Sequence, residues 1–209
     1  MKPRTVISLI IMGMLVSSCV LSSLFPLYTE KDLSTDDGLI GKWQVGEENG
    51  EKYYWIIEKL DTVNTGGGFM GTTGEWSEYN TGKTYRLVAV QDSIKQEFAL
   101  HLLELDGIRY LDLYPVNVEV SPGFLAWHMV PTHIFGKVEI YKNQLILHFF
   151  EQDFFVKLIE QNKIRISHID MNGRQLITAE TDELQKFAKK YADQSQAFQK
   201  PDTLPRLPI

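Results

Sequence analysis

The side chains best suited to chemistry in this 209-residue sequence are five histidines, two neighbouring glutamates and a single cysteine. His128 and His133 flank Met129-Val130-Pro131-Thr132, and two imidazoles so placed invite a metal reading. Their spacing fits neither one helix face nor a zinc finger, and no second cysteine exists to assist them. His101, His148 and His168 fall in stretches of strand character, where a hydrogen-bonded structural role is expected. Glu75 and Glu78 beside Trp76 are the residue types of a sugar-cleaving site, but their polar, Gly-rich surroundings describe a solvated loop. Gly66-Gly67-Gly68 and Gly82-Lys83-Thr84 do not make a phosphate cradle, because the latter opens a strand instead of a helix. G-x-S-x-G and H-E-x-x-H are both missing from the sequence. The expectation is a protein without a metal, a cofactor, a catalytic set or an enzymatic activity.

Cys19 is different. Lys2 and Arg4 form a positive start, Val6 to Val16 is apolar, and Val16-Ser17-Ser18-Cys19 ends the segment. An apolar run of about eleven residues suits a secretory leader and falls short of the ~20 needed to span a bilayer. The tetrapeptide resembles a bacterial lipobox, in which the cysteine is acylated with palmitate-class chains and becomes the new N-terminus. That resemblance implies a leader at 1–18, a lipidation site at Cys19 and attachment to a membrane through it. Two or three chains would hold stably where one holds only marginally. Val20 and Leu21 lack the aspartate that retains such lipoproteins at an inner membrane, so the resemblance favours the outer membrane of a bacterial envelope.

The net charge is −6, and loss of Lys2 and Arg4 with the leader makes it more negative. Nucleic acid, which must be met by Lys and Arg, is therefore not expected as a partner. One cysteine leaves no intramolecular disulfide, so stability must come from an apolar core. Hydrophobic residues at 44% and aromatics at 11% are sufficient for one.

The elements that would position any site are mostly strands. Residues 19–38 read as the modified cysteine and a tether, 39–200 as a single β-rich domain, and 201–209, with Pro201, Pro205 and Pro208, as an extended or disordered tail. Alternation predicts strands over 39–45 and 52–59, joined through Asn49-Gly50, then over 83–91, 96–105 and 108–114, the last two joined at Asp106-Gly107. Further strands are predicted over 132–141, 144–150, 163–169 and 175–178, with 124–130 a strand or an irregular wall. Residues 61–80 are the least regular stretch. Asp153 is the expected cap of a helix over 154–161, and Thr181 of a second helix with Leu184, Phe187, Ala188 and Tyr191 on one face.

Gly41-Lys42-Trp43 on the first strand resembles the G-x-W of lipocalins, where the tryptophan seals the closed end of an antiparallel barrel beneath a basic side chain from the last strand. The resemblance implies a mainly β, antiparallel lipocalin-like barrel or half-barrel of about eight strands with C-terminal helices. Trp43 would close it, with Arg165 on a late strand as partner. Tyr54, Trp55, Phe98, Leu100, Tyr110 and Trp127 are the candidate pocket lining for an apolar or amphipathic small molecule. The runs LYTEKDLSTDDGLIGKW, HMVPTHIFGKVEI and LITAETDELQKFAKKYADQSQAF also look like those of uncharacterised bacterial envelope proteins, which leaves an envelope interaction or assembly role without a pocket as the alternative, and a metal-dependent enzyme built around His128 and His133 as the remaining, less favoured one.

Overall fold

The computed structural model describes residues 20–48, 51–60, 82–91, 93–116 and 130–208. The expected leader at 1–18, Cys19, the Asn49-Gly50 pair expected to turn, the stretch 61–80 with Glu75, Trp76 and Glu78, the 124–129 part of the predicted wall, Trp127 and His128 lie outside the described residues.

Seven strands follow one another as an antiparallel meander: β3 (Gly41–Glu48), β4 (Glu51–Lys59), β5 (Thr84–Gln91), β6 (Ile94–Leu105), β7 (Ile108–Val116), β8 (His133–Ile140) and β9 (Gln144–Phe149). The short pairs β1 (Ser22–Ser23) and β2 (Leu33–Ser34) precede them. Helix α1 (Gln152–Glu160), the hairpin β10 (His168–Met171) and β11 (Arg174–Ile177), and helix α2 (Thr181–Tyr191) come next. The chain then returns as β12 (Asp202–Leu207), which slots between β9 and β3 and closes an antiparallel barrel of eight strands. The fold is thus mainly β and lipocalin-like, with its helices in the C-terminal third.

The alternation of the strands produces two cores. Inward-pointing Trp43, Ile57, Leu87, Leu100, Leu111, Val138, Leu145 and Leu204 fill the barrel. Outward-pointing Leu103, Tyr110 and Phe135 pack instead beneath α1 and α2, with Phe150, Phe155, Leu184 and Phe187. A strand whose two faces are both covered reads as a near-continuous apolar run, and β6 and β7 do so for that reason. Gly136 is required where β8 and β9 meet: a Cβ there would lie 2.6 Å from the His148 carbonyl oxygen.

Four expectations are corrected. Residues 202–207 are a barrel strand, not a tail. Pro205 falls at the last β9 pair, just before the β3 pairs begin at Arg206, so its missing N–H falls where pairing passes from one neighbour to the other. Residues 20–38 are not a tether. Leu21 and Leu27 are fully buried, and β1 pairs with both β8 and β11. Residues 163–167 are irregular, and the strand forms only at His168–Met171. Helix α1 is capped two residues earlier than expected, by the Glu151 side chain accepting from the Asp153 N–H.

Candidate functional site: the two ends of the barrel

One end is sealed. A turn of 3-10 helix over Asp37–Leu39 crosses beneath the barrel and buries Leu39 completely against Trp43 and its neighbours. The Trp43 indole N–H donates to the Leu39 carbonyl at 2.9 Å. Over its ring, 4.0 Å from the centroid, lies a guanidinium belonging to Arg206 on β12. That group donates to three backbone carbonyls: Gly38 at 2.6 Å, Ile40 at 2.7 Å and Lys142 at 2.8 Å. One side chain thus ties the crossing turn, β3 and the β8–β9 turn together, with the planar fork that only arginine offers. Gly41 is glycine for two reasons: its φ is +149°, and a Cβ would sit 2.5 Å from the Arg206 Nη1. A second tie is made by Asp36. It accepts from Arg109 at 2.8 Å and from the Gly38 N–H, while its own N–H donates to the Tyr85 hydroxyl. Burial raises the Tyr85 phenol, and the neighbouring Asp37 and Asp36 charges add to this against the hydrogen bond it makes to Asp36.

The expected partner of Trp43 was Arg165, and that assignment is wrong. Arg165 is exposed in the irregular segment after α1. Arg206 holds the position because only the return of β12 brings a basic residue opposite Trp43.

At the other end the inward side chains lose their cover. Ile57, Leu87, Leu100 and Leu145 are fully buried, whereas Trp55, Ala89, Phe98, Ile134 and Phe149, one or two steps further along the same faces, are half-buried. Asp202 stands opposite Leu147 at the start of β12, exposed at this rim, and desolvation raises its carboxyl. Of the six residues expected to line a pocket, Trp55, Phe98 and Leu100 share the barrel interior. Tyr54 points outward, with the Lys42 Nζ 3.8 Å from its ring centroid. Tyr110 also points outward, fully buried in the helix-covered core, where its hydroxyl reaches the Ala188 carbonyl at 3.4 Å and burial drives its ionisation far up. Both sit one residue out of phase with the inner face, and that parity is countable once strand direction is known. Ile134 and Phe149, which sequence reasoning missed, carry the same alternation signal.

The four described histidines make structural contacts. His133 Nδ1 lies 2.6 Å from Asp112, a fully buried carboxylate that also accepts the Leu27 N–H at 2.8 Å. The cluster pins the N-terminal segment to the outside wall. His101 meets Thr84 at 3.0 Å and stacks on Tyr28, His148 meets Glu139 at 3.0 Å, and the His168 ring packs edge-on to Phe155. Among the described residues no three His, Cys, Asp or Glu side chains gather as metal ligands.

A closed antiparallel barrel of eight strands, sealed at one end by Trp43 and Arg206, is a lipocalin-like architecture. No family model matches the chain, and neither does any curated protein or solved structure.

Proposed function

We propose that this is a lipid-anchored bacterial envelope protein, attached through an acylated Cys19 to the outer membrane, whose barrel takes an apolar or amphipathic small molecule at its open end. The observation that carries the ligand reading is the gradient of cover inside the barrel. The side chains of the sealed half are buried, while Trp55, Phe98, Ile134 and Phe149 form an aromatic and aliphatic rim that is only half covered. Apolar surface grouped at the mouth of a barrel is the chemistry that takes up a hydrophobic ligand. The ligand enters shallowly, because Leu100, Leu145 and Leu204 already fill the layer beneath.

The test is native mass spectrometry of the protein extracted from its own cell, together with titration by a neutral naphthylamine probe. A bound small molecule, or saturable probe binding lost in Phe98→Asp and kept in Tyr54→Ala, supports the reading. No co-purifying mass and no saturable binding overturn it. The packed lower half favours the second reading, an assembly protein that acts through its surface, which would co-purify with an envelope protein and bind no probe.

A further inference from the structure

We infer that the domain is seated directly on the lipid bilayer through the β10–β11 hairpin and the start of α1. This rests on the acylated Cys19 of the proposed function and goes beyond it by naming the surface that meets the membrane.

The chain is held in the fold from Val20 onward. Val20 bridges to Glu151, the Leu21 N–H reaches the Phe150 carbonyl, Leu21 is fully buried, and Ser22 and Ser23 are paired on both sides. The backbone is locked from the first residue after Cys19. Two adjacent Cα atoms are about 3.8 Å apart, so the acyl chains begin within one residue of the folded wall.

The parallel register tells which wall. Ser22 faces Leu176 and Ser23 faces Ile177, so by the same register Val20, the residue bonded to Cys19, is level with Arg174 beside the Asn172-Gly173 turn. The Gln152 side chain clamps that turn to α1, donating to the Gly173 carbonyl at 2.9 Å and accepting the Gln175 N–H at 2.8 Å. On this hairpin Ile169 and Met171 are 48% and 42% exposed, side by side on an edge strand, and Met171 is paired with the exposed Arg174. Two apolar side chains beside a cation fit a headgroup layer. The nearby Asp170 is spent internally, accepting from the Gly173 N–H and the Gln175 amide. A domain held this closely keeps one orientation.

The test uses the lipidated full chain in phosphatidylethanolamine and phosphatidylglycerol vesicles whose acyl chains carry a quencher. An introduced cysteine is then the sole free thiol for a fluorophore, since Cys19 is acylated. Met171→Cys is compared with Asn143→Cys, in the β8–β9 turn at the far end of β9, a strand of six residues or about 20 Å away. Severalfold stronger quenching at 171 is expected. A flexible linker of about ten Gly and Ser residues inserted between Cys19 and Val20, reaching about 17 Å, should shrink that difference. Equal quenching at both sites on a chain whose intact mass shows the acyl groups overturns the docking alone. A chain with no acyl mass overturns the anchoring and the docking together. Disulfide-linked dimers of Met171→Cys in place of lipid quenching assign the face to a second copy, which also overturns it.

Discussion

Replacing Arg206 by alanine should destabilise the protein more than any other substitution of an exposed or half-exposed charged residue. The guanidinium makes two bonds to carbonyls in partly buried surroundings, at Gly38 and Ile40, and a third to the exposed Lys142 carbonyl that water replaces on truncation. Each of the first two, having a charged donor, contributes about 1.5–3 kcal/mol. The contact over Trp43 adds about 0.5–2 kcal/mol. These terms share one side chain and do not add fully, so the expected loss is about 4 kcal/mol. For a chain of this size it lowers Tm by about 10 °C. Urea denaturation of the detergent-solubilised protein, followed by tryptophan emission, measures it. Arg165→Ala, in an exposed irregular segment, should stay within about 0.5 kcal/mol of the parent. Arg206→Lys should recover less than half the loss, because an ammonium keeps the charge over the indole but cannot span three carbonyls. Equal effects of Arg206→Ala and Arg165→Ala would refute the closure described above.

Deleting residues 201–209 should leave β3 and β9 as unpaired edges and give a chain that aggregates or is cut rapidly in limited proteolysis. Asp112→Ala strands His133 and the Leu27 N–H, for an expected cost of about 3 kcal/mol in urea midpoint analysis, with Asp112→Asn milder because its amide oxygen still accepts. Desolvation raises the Asp202 carboxyl, so ionising it opposes folding: Asp202→Asn should raise the urea midpoint at neutral pH, and the gain should vanish as pH falls below the ordinary carboxylate range. The opposite sign applies to two other acids. Burial opposes ionisation of Asp32, but hydrogen bonds from Thr29 and Gln185 outweigh it, and bonds from Tyr141 and His148 hold Glu139 down. Their contribution is full at neutral pH and is lost as pH falls through their lowered values, so Asp32→Asn and Glu139→Gln should narrow the stability difference between neutral and acid pH, read by urea titration at each.

The amino-acid sequence by itself determines the β character, the strands from Gly41 to Phe149 and helix α2. It does so because a covered face forces alternation in a strand and an i, i+3, i+4, i+7 stripe in a helix, and both patterns are local. Trp43 and Gly41 are readable for the same reason, since the pair constrains one stretch of backbone. What required the tertiary structure is everything set by return of the chain from a distance. Asp202 to Leu207 carry only two leucines between prolines, and nothing in them announces a strand; their pairing is supplied by the two open edges at β9 and β3. Arg206 reaches Trp43 across a separation no spacing rule covers, so the partner expected from a late strand fell on Arg165. The segment after Cys19 reads as loose because Ser22 and Ser23 are small and polar. It is held by β8 and β11, and its leucines are buried by helices that come more than a hundred residues later. Inner and outer faces separate Trp55 and Phe98 from Tyr54 and Tyr110 only once the barrel has closed, because before closure each strand has two equivalent sides.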